Sequence, residues 1–592
     1  MITGKHVNKY YLKYIVYFII GLIALILVDY FQLEIPKICG QILDGVEDGS
    51  LFSSEASNKI SQYMMYLAFI AFIMFTGRFA WRYTILGVAA RIESDLREDM
   101  FIHAEKLSNQ YYKEHKTGAL MALFTNDLQM IRQCFGMGTI ALVDAVFLGG
   151  FALYRMIMCN WILTLFSVIP MALIAVLAVF VGRIMQKKFK ERQEAYDALS
   201  DFTQENFSGI SVVKAFVKEV NEIRHFDKVN QTNYDKNIAH VRYATLLDVL
   251  LTAILSLIIA LLFGGGAYFV ISDAIFFGEQ FTTGKLWEFV AYFDSLIWPF
   301  MAVAQLINMR AQGKASYNRI SELLDEKVEI ADNNIVTIDQ IEGKIEFRDL
   351  SFNYPDDDSD VLSNISFTIN KGEMVGIIGP TGCGKTTIVD LLLRTYNISE
   401  NSILIDDIDI MRLPYKKVRD AIGYVPQDNF LFSDTIANNI AFALTENNDE
   451  DIIKAAMLAD VHNNIDEFEK KYETILGERG VTLSGGQKQR VSIARALIKD
   501  PQILIFDDSV SAVDTKTEET ILKNLREIRS GKTTIMIAHR ISTVETLDKI
   551  VVLDDGKVSG VGTHEELLNS NDLYKEMVRL QSLEAEVNGG DE

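Results

Sequence analysis

A glycine-rich octapeptide in the second half of the chain has the spacing Gly-x-x-x-x-Gly-Lys-Thr. An apolar stretch at 374–378 precedes it and a helix-forming stretch at 387–393 follows it, which is the context of a phosphate-binding loop. Its glycines let backbone N–H groups approach phosphate oxygens, and the start of the helix adds positive potential. The octapeptide comprises Gly379, Pro380, Thr381, Gly382, Cys383, Gly384, Lys385 and Thr386.

Two side chains of this loop are suited to a nucleoside triphosphate and its metal ion. Lys385 supplies a cation for the β- and γ-phosphates, and the Thr386 hydroxyl can bind Mg²⁺. We extend the predicted phosphate-binding segment to the next residue, Thr387. A second apolar strand at 503–506 ends in Asp507, where a carboxylate is needed to hold Mg²⁺. The two motifs together predict a site for a nucleoside triphosphate with Mg²⁺.

A third motif lies between these two and makes the interpretation more specific. It reads Leu-Ser-Gly-Gly-Gln at 483–487 and resembles the signature of ABC ATPases. With the hydrophobic first half described below, the whole chain resembles a half-transporter of the ABC exporter type. The resemblance implies that two chains enclose two ATP molecules, each ATP meeting the phosphate loop of one chain and the signature of the other. The signature residues that would contact ATP are Ser484, Gly485, Gly486 and Gln487.

The resemblance also implies roles for positions outside these three motifs. Tyr354 resembles the aromatic residue that stacks on adenine, and Gln427 resembles the glutamine that contacts Mg²⁺ and faces the membrane domain. His539 resembles the switch histidine that contacts the γ-phosphate. Residues 478–480 resemble the X-loop and residues 511–514 the D-loop of exporters.

One residue departs from the family pattern at the position of the general base. The family usually has glutamate directly after the metal-binding aspartate, and here that residue is Asp508. Because aspartate is one methylene shorter, its carboxylate falls about 1 Å or more short of the attacking water, and a misplacement of that size can cost on the order of 10²-fold in rate. Such a site resembles the degenerate half of a heterodimeric exporter. The alternative is a slow homodimer that uses Asp508 as its base.

The first half of the chain supplies six candidate membrane spans, since a bilayer core of about 30 Å requires about 20 apolar residues in a helix. The first run follows a basic N-terminus. We interpret it as an uncleaved span and not as a signal peptide, because it is long, lacks a small-residue cleavage site and is followed by similar runs. The runs cover residues 14–28, 60–77, 137–154, 156–182, 249–272 and 289–309.

Charge indicates the orientation of these spans. The basic N-terminus and the eleven Lys and Arg residues within 183–248 predict cytosolic termini and cytosolic long segments. Stretches 109–127 and 202–216 resemble the coupling helices that dock on ATPase domains. Ionisable residues in or beside spans are functional candidates, with helix-end positions or interhelical pairs as the alternative. They are Asp144, Arg155, Asp248, Glu288 and Asp294.

Composition supports a membrane half joined to a soluble half. Hydrophobic residues make up 49% of the 592 residues, which excludes a disordered acidic protein, and the net charge of −22 argues against a nucleic-acid surface. Residues 1–320 carry 29 Lys and Arg against 28 Asp and Glu, whereas residues 321–592 carry 28 against 51. The four cysteines lack the spacing of a zinc site or a disulfide framework.

These observations predict an α-helical six-span transmembrane domain at 1–320, a linker at 321–342 and an α/β P-loop ABC ATPase domain at 343–592. The expected function is ATP-driven efflux of small or amphipathic molecules across a bacterial cell membrane, with ATP and Mg²⁺ as cofactors. The expected partners are the lipid bilayer, a transported substrate and a second, different half-transporter; no nucleic acid is expected. The alternatives are a homodimeric exporter, a lipid or peptide translocator, a metal-chelate importer with this fold, and an ATP-gated regulator that does not transport.

Overall fold

The computed structural model divides into two compact units. The first comprises Met1–Ile102 with Gly118–Asp325, and the second comprises His103–Thr117 with Glu326–Glu592. The described residues are 3–52, 56–332, 335–357, 359–446, 448–477, 480, 482–509 and 515–588. Within them, side chains are not described for residues 52, 56, 172–183, 186, 251, 515 and 584–588.

The first unit is built almost wholly from helices. Among the described residues of this unit, three single π-turns interrupt them, at Arg82–Leu86, Leu123–Asp127 and Asp144–Leu148. The α-helices are Asn8–Lys13, Ile15–Gln32, Glu34–Glu47, Ala56–Trp81, Gly87–Ala104, Thr117–Ala122, Leu128–Phe135, Met137–Val143, Gly149–Cys159, Trp161–Ser208, Ile210–Ala215, Glu219–Ile271 and Thr283–Asp325. A short 3₁₀-helix, Ser50–Phe52, and a two-stranded hairpin, Ile275–Phe276 with Glu279–Gln280, complete this unit.

Five helical stretches among the described residues are long and apolar enough to cross a membrane. They overlap the predicted runs at 14–28, 60–77, 137–154, 249–272 and 289–309 to within one residue at each end. The stretches are Ile15–Glu47, Ser57–Ala104, Thr117–Cys159, Glu219–Ile271 and Thr283–Asp325.

The run predicted at 156–182 is not one continuous span, so its predicted start is wrong. Asn160 interrupts it: Met156 to Cys159 close the preceding helix, and a new helix begins at Trp161. The Asn160 side-chain oxygen accepts a hydrogen bond from the N–H of Leu163 at 3.0 Å, which is the geometry of a helix N-cap. An apolar helical stretch, Trp161–Met171, follows this cap.

The second unit contains two sheets. The six-stranded sheet is parallel apart from the edge strand Lys557–Gly562. In spatial order its strands are Lys557–Gly562, Lys549–Asp554, Met374–Ile378, Thr533–Ile537, Ile503–Asp507 and Ile422–Val425. The antiparallel sheet consists of Leu362–Ile369, Ile345–Phe352, Ile403–Ile405 and Ile408–Asp409.

Helices and short 3₁₀ turns surround these sheets in the second unit. Apolar side chains of the six-stranded sheet enter two separate buried clusters, so the sheet carries hydrophobic cores on both faces. The α-helices are Asn109–Glu114, Lys385–Leu392, Tyr415–Ala421, Ile436–Ala441, Asp449–Leu458, His462–Asp466, Gly485–Leu497, Thr515–Ile528, Ile541–Val544, His564–Ser570 and Asp572–Asn588. The 3₁₀ turns are Ile410–Arg412 and Lys471–Glu473.

Parallel order explains why residues distant in sequence share one edge of this sheet. Ile537 pairs with Ile377 on one side and with Asp507 on the other, and Val425 pairs with Phe506. Carboxyl ends of neighbouring parallel strands therefore lie together, and ligands bind at this edge in open α/β sheets. The residues that follow these strands are the predicted phosphate loop, Asp508, His539 and Gln427.

The short helices within the two predicted coupling segments, 109–127 and 202–216, cover fewer residues than the sequence predicts. Within 109–127 only Asn109–Glu114 forms a separate short helix, since Thr117–Ala122 begins the next membrane helix. Within 202–216 the long helix continues to Ser208, and after Gly209 a short helix spans Ile210–Ala215. The helix Thr283–Asp325 also continues into the linker predicted at 321–342; Pro299 lies inside this helix and does not end it.

Candidate nucleotide-binding site

The phosphate loop joins the strand Met374–Ile378 to the helix Lys385–Leu392. Gly382 and Gly384 have φ values of +84° and +93°, in the left-handed region that favours glycine. At Gly379 a Cβ atom would lie 2.2 Å from the carbonyl oxygen of Leu553, so no larger residue fits there. The sequence therefore has glycine where the loop turns or packs against another backbone.

The Lys385 side chain lies inside this loop. It is 6% exposed, and its Nζ donates hydrogen bonds to the carbonyl oxygens of Gly379 and Pro380, both at 2.9 Å. The Cys383 sulfur lies 3.9 Å from the same Nζ. Burial raises the pKa of the Cys383 thiol, which keeps it protonated and unreactive at neutral pH. The ammonium group of Lys385 therefore already lies beside the backbone of the loop that would surround a bound phosphate.

Asp507 lies opposite the phosphate loop at the end of its strand. The Thr386 hydroxyl donates to Asp507 Oδ1 at 3.2 Å, and the Tyr424 hydroxyl donates to Oδ2 at 3.4 Å. Burial raises the pKa of the Asp507 carboxyl, which is 1% exposed. A carboxylate beside a threonine hydroxyl is a set of hard oxygen ligands, so these residues fit Mg²⁺. Tyr424 was not predicted as a site residue; it occupies the neighbouring strand.

Asp508 and His539 are brought together from adjacent strands. Asp508 has φ +46°, and its N–H donates to the Ile537 carbonyl at 2.9 Å. Asp508 Oδ2 lies 3.9 Å from His539 Nε2, and the two side chains are 15% and 40% exposed. Gln581 donates from its amide to the His539 carbonyl at 2.6 Å, which ties the histidine to the C-terminal helix. This pair can contact a reacting water and a terminal phosphate together.

Gln427 lies beyond the strand Ile422–Val425. It lines a surface cavity of about 390 Å³ together with Asp508 and with Gly485 and Lys488 of the signature helix. The structure therefore places the predicted metal-contacting glutamine and the predicted base around one opening.

The signature forms the N-terminus of the helix Gly485–Leu497. The Ser484 hydroxyl accepts from the Gln487 N–H at 3.3 Å, and the Gln487 side chain accepts from the Ser484 N–H at 3.0 Å. This reciprocal pair is a capping box, and it fixes both side chains within the chain. Ser484 and Gly485 are exposed, so the positive end of the helix is open to an anionic group from outside the chain.

Tyr354 sits beside the phosphate-loop helix in an aromatic group that the sequence does not reveal. Its hydroxyl lies 3.0 Å from the Thr387 hydroxyl, and burial raises its pKa. The Tyr396 ring packs edge-on against it, with centroids 5.3 Å apart. Lys113, from the short helix Asn109–Glu114, places its Nζ 4.9 Å from the Tyr354 centroid and donates to the Tyr396 hydroxyl at 2.8 Å. No local motif marks Lys113 or Tyr396.

A further carboxylate, Asp390, lies on the phosphate-loop helix. Burial raises its pKa to about 6, and the nearby charge of Lys113 opposes this rise.

The predicted X-loop and D-loop lie wholly or largely outside the residues that the structure describes. Glu478 and Arg479 of the X-loop and all of residues 511–514 of the D-loop lie outside the described residues.

The strand-loop-helix carrying Lys385, the facing Asp507 and the capped signature helix define an ABC-type ATPase. The chain matches two families, described as ABC transporter transmembrane region over residues 18–300 and ABC transporter over residues 362–511. With the relatives named below, which match nearly the whole chain, these matches show that it belongs to the ABC transporter family, with a helical transmembrane domain fused to an ATP-binding domain that couples ATP hydrolysis to transport.

Several similar proteins match nearly the whole chain. The Bacillus subtilis (strain 168) protein named "Probable multidrug resistance ABC transporter ATP-binding/permease protein YheI" is 37% identical over 588 residues, covering 99% of this chain and 98% of that protein. "Multidrug resistance-like ATP-binding protein MdlA" of Escherichia coli (strain K12) is 35% identical, covering 96% and 94%. A solved structure titled "Structure of a bacterial Atm1-family ABC exporter with ATP bound" matches with a TM-score of 0.76 at 27% identity, covering 95% and 98%. The chain therefore has the ABC exporter fold.

Proposed function

We propose that this chain is one subunit of a heterodimeric exporter of small amphipathic molecules, and that its own ATP site hydrolyses slowly. The observation that carries the proposal is Asp508 in place of the longer glutamate. Its carboxylate is held against His539 at 3.9 Å, on a backbone with φ +46°. Aspartate tolerates this left-handed conformation better than glutamate does, because its short side chain can hydrogen-bond locally. The local backbone therefore suits the short side chain of aspartate.

The remaining site assignments follow from the same geometry. Backbone groups from Gly379 to Thr387, with the Lys385 cation, would bind the phosphates of ATP, and Tyr354 would stack on adenine. Thr386, Asp507 and Gln427 would hold Mg²⁺. Catalysis at this site would involve Asp508, His539 and Gln427. The oxygen atoms of Thr386, Asp507 and Gln427 are hard ligands of the kind that Mg²⁺ prefers. Lys385 supplies the cation that binding of the phosphates requires.

The exposed signature supports a second role for the chain in the assembly. Ser484 to Gln487 would complete the ATP site of a partner, and the capping box holds these residues in place before ATP arrives. If the partner carries glutamate as its base, the fast site combines that glutamate with this signature. A heterodimer with one slow and one fast ATP site requires that this chain combine an intact signature with a shortened base.

The membrane half would contain six spans: the five long apolar stretches described above and, fourth in chain order, the helix that begins at Trp161. Both termini and the ATPase domain would lie in the cytosol. The domain limits would fall near 320 and 343. The relatives that carry multidrug names support efflux of small amphipathic molecules. The second candidate is a homodimer, favoured by the closeness of Asp508 to His539, which leaves the aspartate able to act as a slow base.

Co-expression tests the proposal. This chain, carrying an affinity tag, is expressed alone and together with a candidate second half-transporter that has glutamate at the base position, and ATP turnover is measured on each purified assembly. We expect the second chain to co-purify and to raise turnover about tenfold or more, because it contributes a better-placed base. Ser484→Arg in this chain should remove that gain, since it places bulk and charge at the γ-phosphate of the fast site. Full turnover of this chain alone, with no co-purifying subunit, would contradict the proposal.

A further inference from the structure

Gln581, on the C-terminal helix Asp572–Asn588, contacts the backbone on both sides of Arg540. Its side-chain amide donates to the His539 carbonyl at 2.6 Å, and its Oε1 accepts from the Ile541 N–H at 2.7 Å. Only one orientation of the amide satisfies both contacts, because its NH₂ group must face the carbonyl and its oxygen must face the N–H. Gln581 therefore links the histidine of the proposed ATP site to the helix that follows it.

The backbone at His539 lies between two regular elements. The strand Thr533–Ile537 ends before it, and the short helix Ile541–Val544 begins after it. The first N–H groups of a helix have no partner inside the helix. Arg540 occupies the N-cap position, and its guanidinium cannot accept from these groups because it carries only donors. Gln581 supplies an acceptor from another helix in its place.

A second side chain contacts the short helix after the histidine. Glu518, which is 3% exposed, accepts from the Thr543 hydroxyl and forms an ion pair with Arg540 at 3.4 Å. These contacts hold positions 540 and 543, whereas Gln581 bonds to the carbonyl of position 539. Loss of Gln581 should therefore free the backbone of His539 without unfolding the short helix.

The C-terminal helix is attached to its domain by apolar contacts as well. Tyr574 is completely buried in one of the hydrophobic clusters of the six-stranded sheet, and Met577 and Val578 pack against that cluster. By their spacing these three residues lie on the same helix face as Gln581. Apolar burial of this extent stabilises more than two hydrogen bonds do. The bonds of Gln581 are therefore not needed to keep the helix in place.

The position of the His539 imidazole decides what it can contact. Its Nε2 lies 3.9 Å from Asp508 Oδ2, at the edge of the sheet where the phosphate loop begins. The His539 side chain is 40% exposed, so its own packing fixes it only in part and its backbone must do the rest. A displacement of about 1 Å is enough to weaken a contact of this kind severely.

We propose that Gln581 is a positioning residue for His539, which it holds so that the imidazole meets the γ-phosphate of ATP. Gln581 acts through the histidine and not on the nucleotide itself. This inference rests on the proposed contact between His539 and the γ-phosphate, and it applies to a homodimer as well as to a heterodimer.

Nucleotide preference at this chain's own site tests the proposal, because ADP lacks the γ-phosphate. The assembled transporter is titrated with radiolabelled 8-azido-ATP or 8-azido-ADP and irradiated, and the chains are separated by electrophoresis, so that the occupancy of each chain is measured. Gln581→Met keeps a straight side chain of similar length and removes both hydrogen bonds. It should raise the half-saturating concentration of 8-azido-ATP by about threefold or more and change that of 8-azido-ADP by less than about twofold.

Three further variants complete the test. Ser582→Ala is the matched control and should change neither value, since this exposed neighbour donates to the Val578 carbonyl of the same helix. His539→Ala should raise the 8-azido-ATP value at least as much as Gln581→Met does. The double variant should equal His539→Ala alone, because one residue acts through the other. Gln581→Glu keeps the acceptor for Ile541 but turns a carboxylate oxygen toward the His539 carbonyl, so it should also weaken binding of 8-azido-ATP selectively.

Each other outcome has a definite meaning. Equal changes for both nucleotides in Gln581→Met, unchanged binding of both, or additive losses in the double variant would overturn the positioning role. Failure of both Gln581 variants to assemble would show that the residue is needed for folding, which would overturn that role as well. If His539→Ala leaves the preference for 8-azido-ATP unchanged, the proposed γ-phosphate contact is wrong, and the inference fails with it.

Discussion

Replacing Lys113 by methionine should weaken ATP binding by a small and measurable factor. Lys113 Nζ lies 4.9 Å from the centroid of Tyr354, the proposed adenine platform, and 2.8 Å from the Tyr396 hydroxyl. Tyr396 in turn packs edge-on against Tyr354. A cation–π contact at an exposed site contributes about 0.5–1 kcal/mol. If Lys113 orients the platform, losing it should raise the half-saturating ATP concentration by roughly 2–5-fold.

The assay is titration of the assembled transporter with labelled ATP, in which the half-saturating concentration of this chain's own site is fitted separately from that of the partner's site. Steady-state ATPase at saturating ATP should hold, because the proposed fast site uses the partner's phosphate loop. The control is Lys116→Met, which removes an exposed lysine from the same segment. Tyr396→Phe completes a double-mutant cycle, and a coupling energy of about 1 kcal/mol is expected for the hydrogen bond between Lys113 and Tyr396. Equal half-saturation in Lys113→Met and Lys116→Met, or an additive cycle, would refute this reasoning.

Three further predictions concern the phosphate loop and its helix. Lys385→Ala should weaken ATP binding to this chain's own site by roughly tenfold or more, because it removes the side-chain cation of the loop. A titration with labelled ATP measures this binding, and unchanged affinity at both sites would disprove the assignment. Gly379→Ala should abolish ATP binding at that site, since its Cβ would lie 2.2 Å from the Leu553 oxygen; normal binding would show that the loop adapts. Asp390→Asn should reduce the loss of thermal stability between about pH 4 and pH 7, the interval that contains the unfolded and folded pKa values of this carboxyl. The folded-state pKa of Asp390 is raised to about 6, so its stabilising contribution is complete below the unfolded value near 4 and is lost as pH rises through 6; an unchanged pH dependence of the melting temperature would contradict this.

The fold class and much of the site follow from local sequence. Glycine spacing between an apolar strand and a helix is a local signal, and it led to Lys385 and Thr386. The approach of Asp507 to Thr386 is also predictable, because parallel strands bring their carboxyl ends to one edge. Asp507 and Thr386 lie in neighbouring structural elements, although 121 residues separate them in the sequence.

Long-range contacts explain what the sequence does not reveal. Lys113 reaches Tyr396 across 283 residues, and no spacing rule connects a lysine of a short helix with an aromatic beyond the phosphate loop. Asp144 was a candidate charge in a span, but only packing reveals Trp298 as its partner. The start of the helix Trp161–Ser208 was missed because hydropathy does not register the cap that Asn160 forms.

The steady-state ATPase rate of the assembled transporter carrying Asp508→Asn tests the central claim most directly. The variant removes only the carboxylate charge next to His539 and keeps the shape of the side chain. If a partner's glutamate runs the fast site, turnover should stay at roughly half or more of the wild-type rate, since the base removed is already poorly placed. In a homodimer Asp508 is the base of both sites, and its loss should cut turnover by about 10²-fold or more. An Asp508→Asn transporter with almost no ATP turnover would therefore contradict the heterodimer proposal and indicate a homodimer that uses Asp508 as its general base.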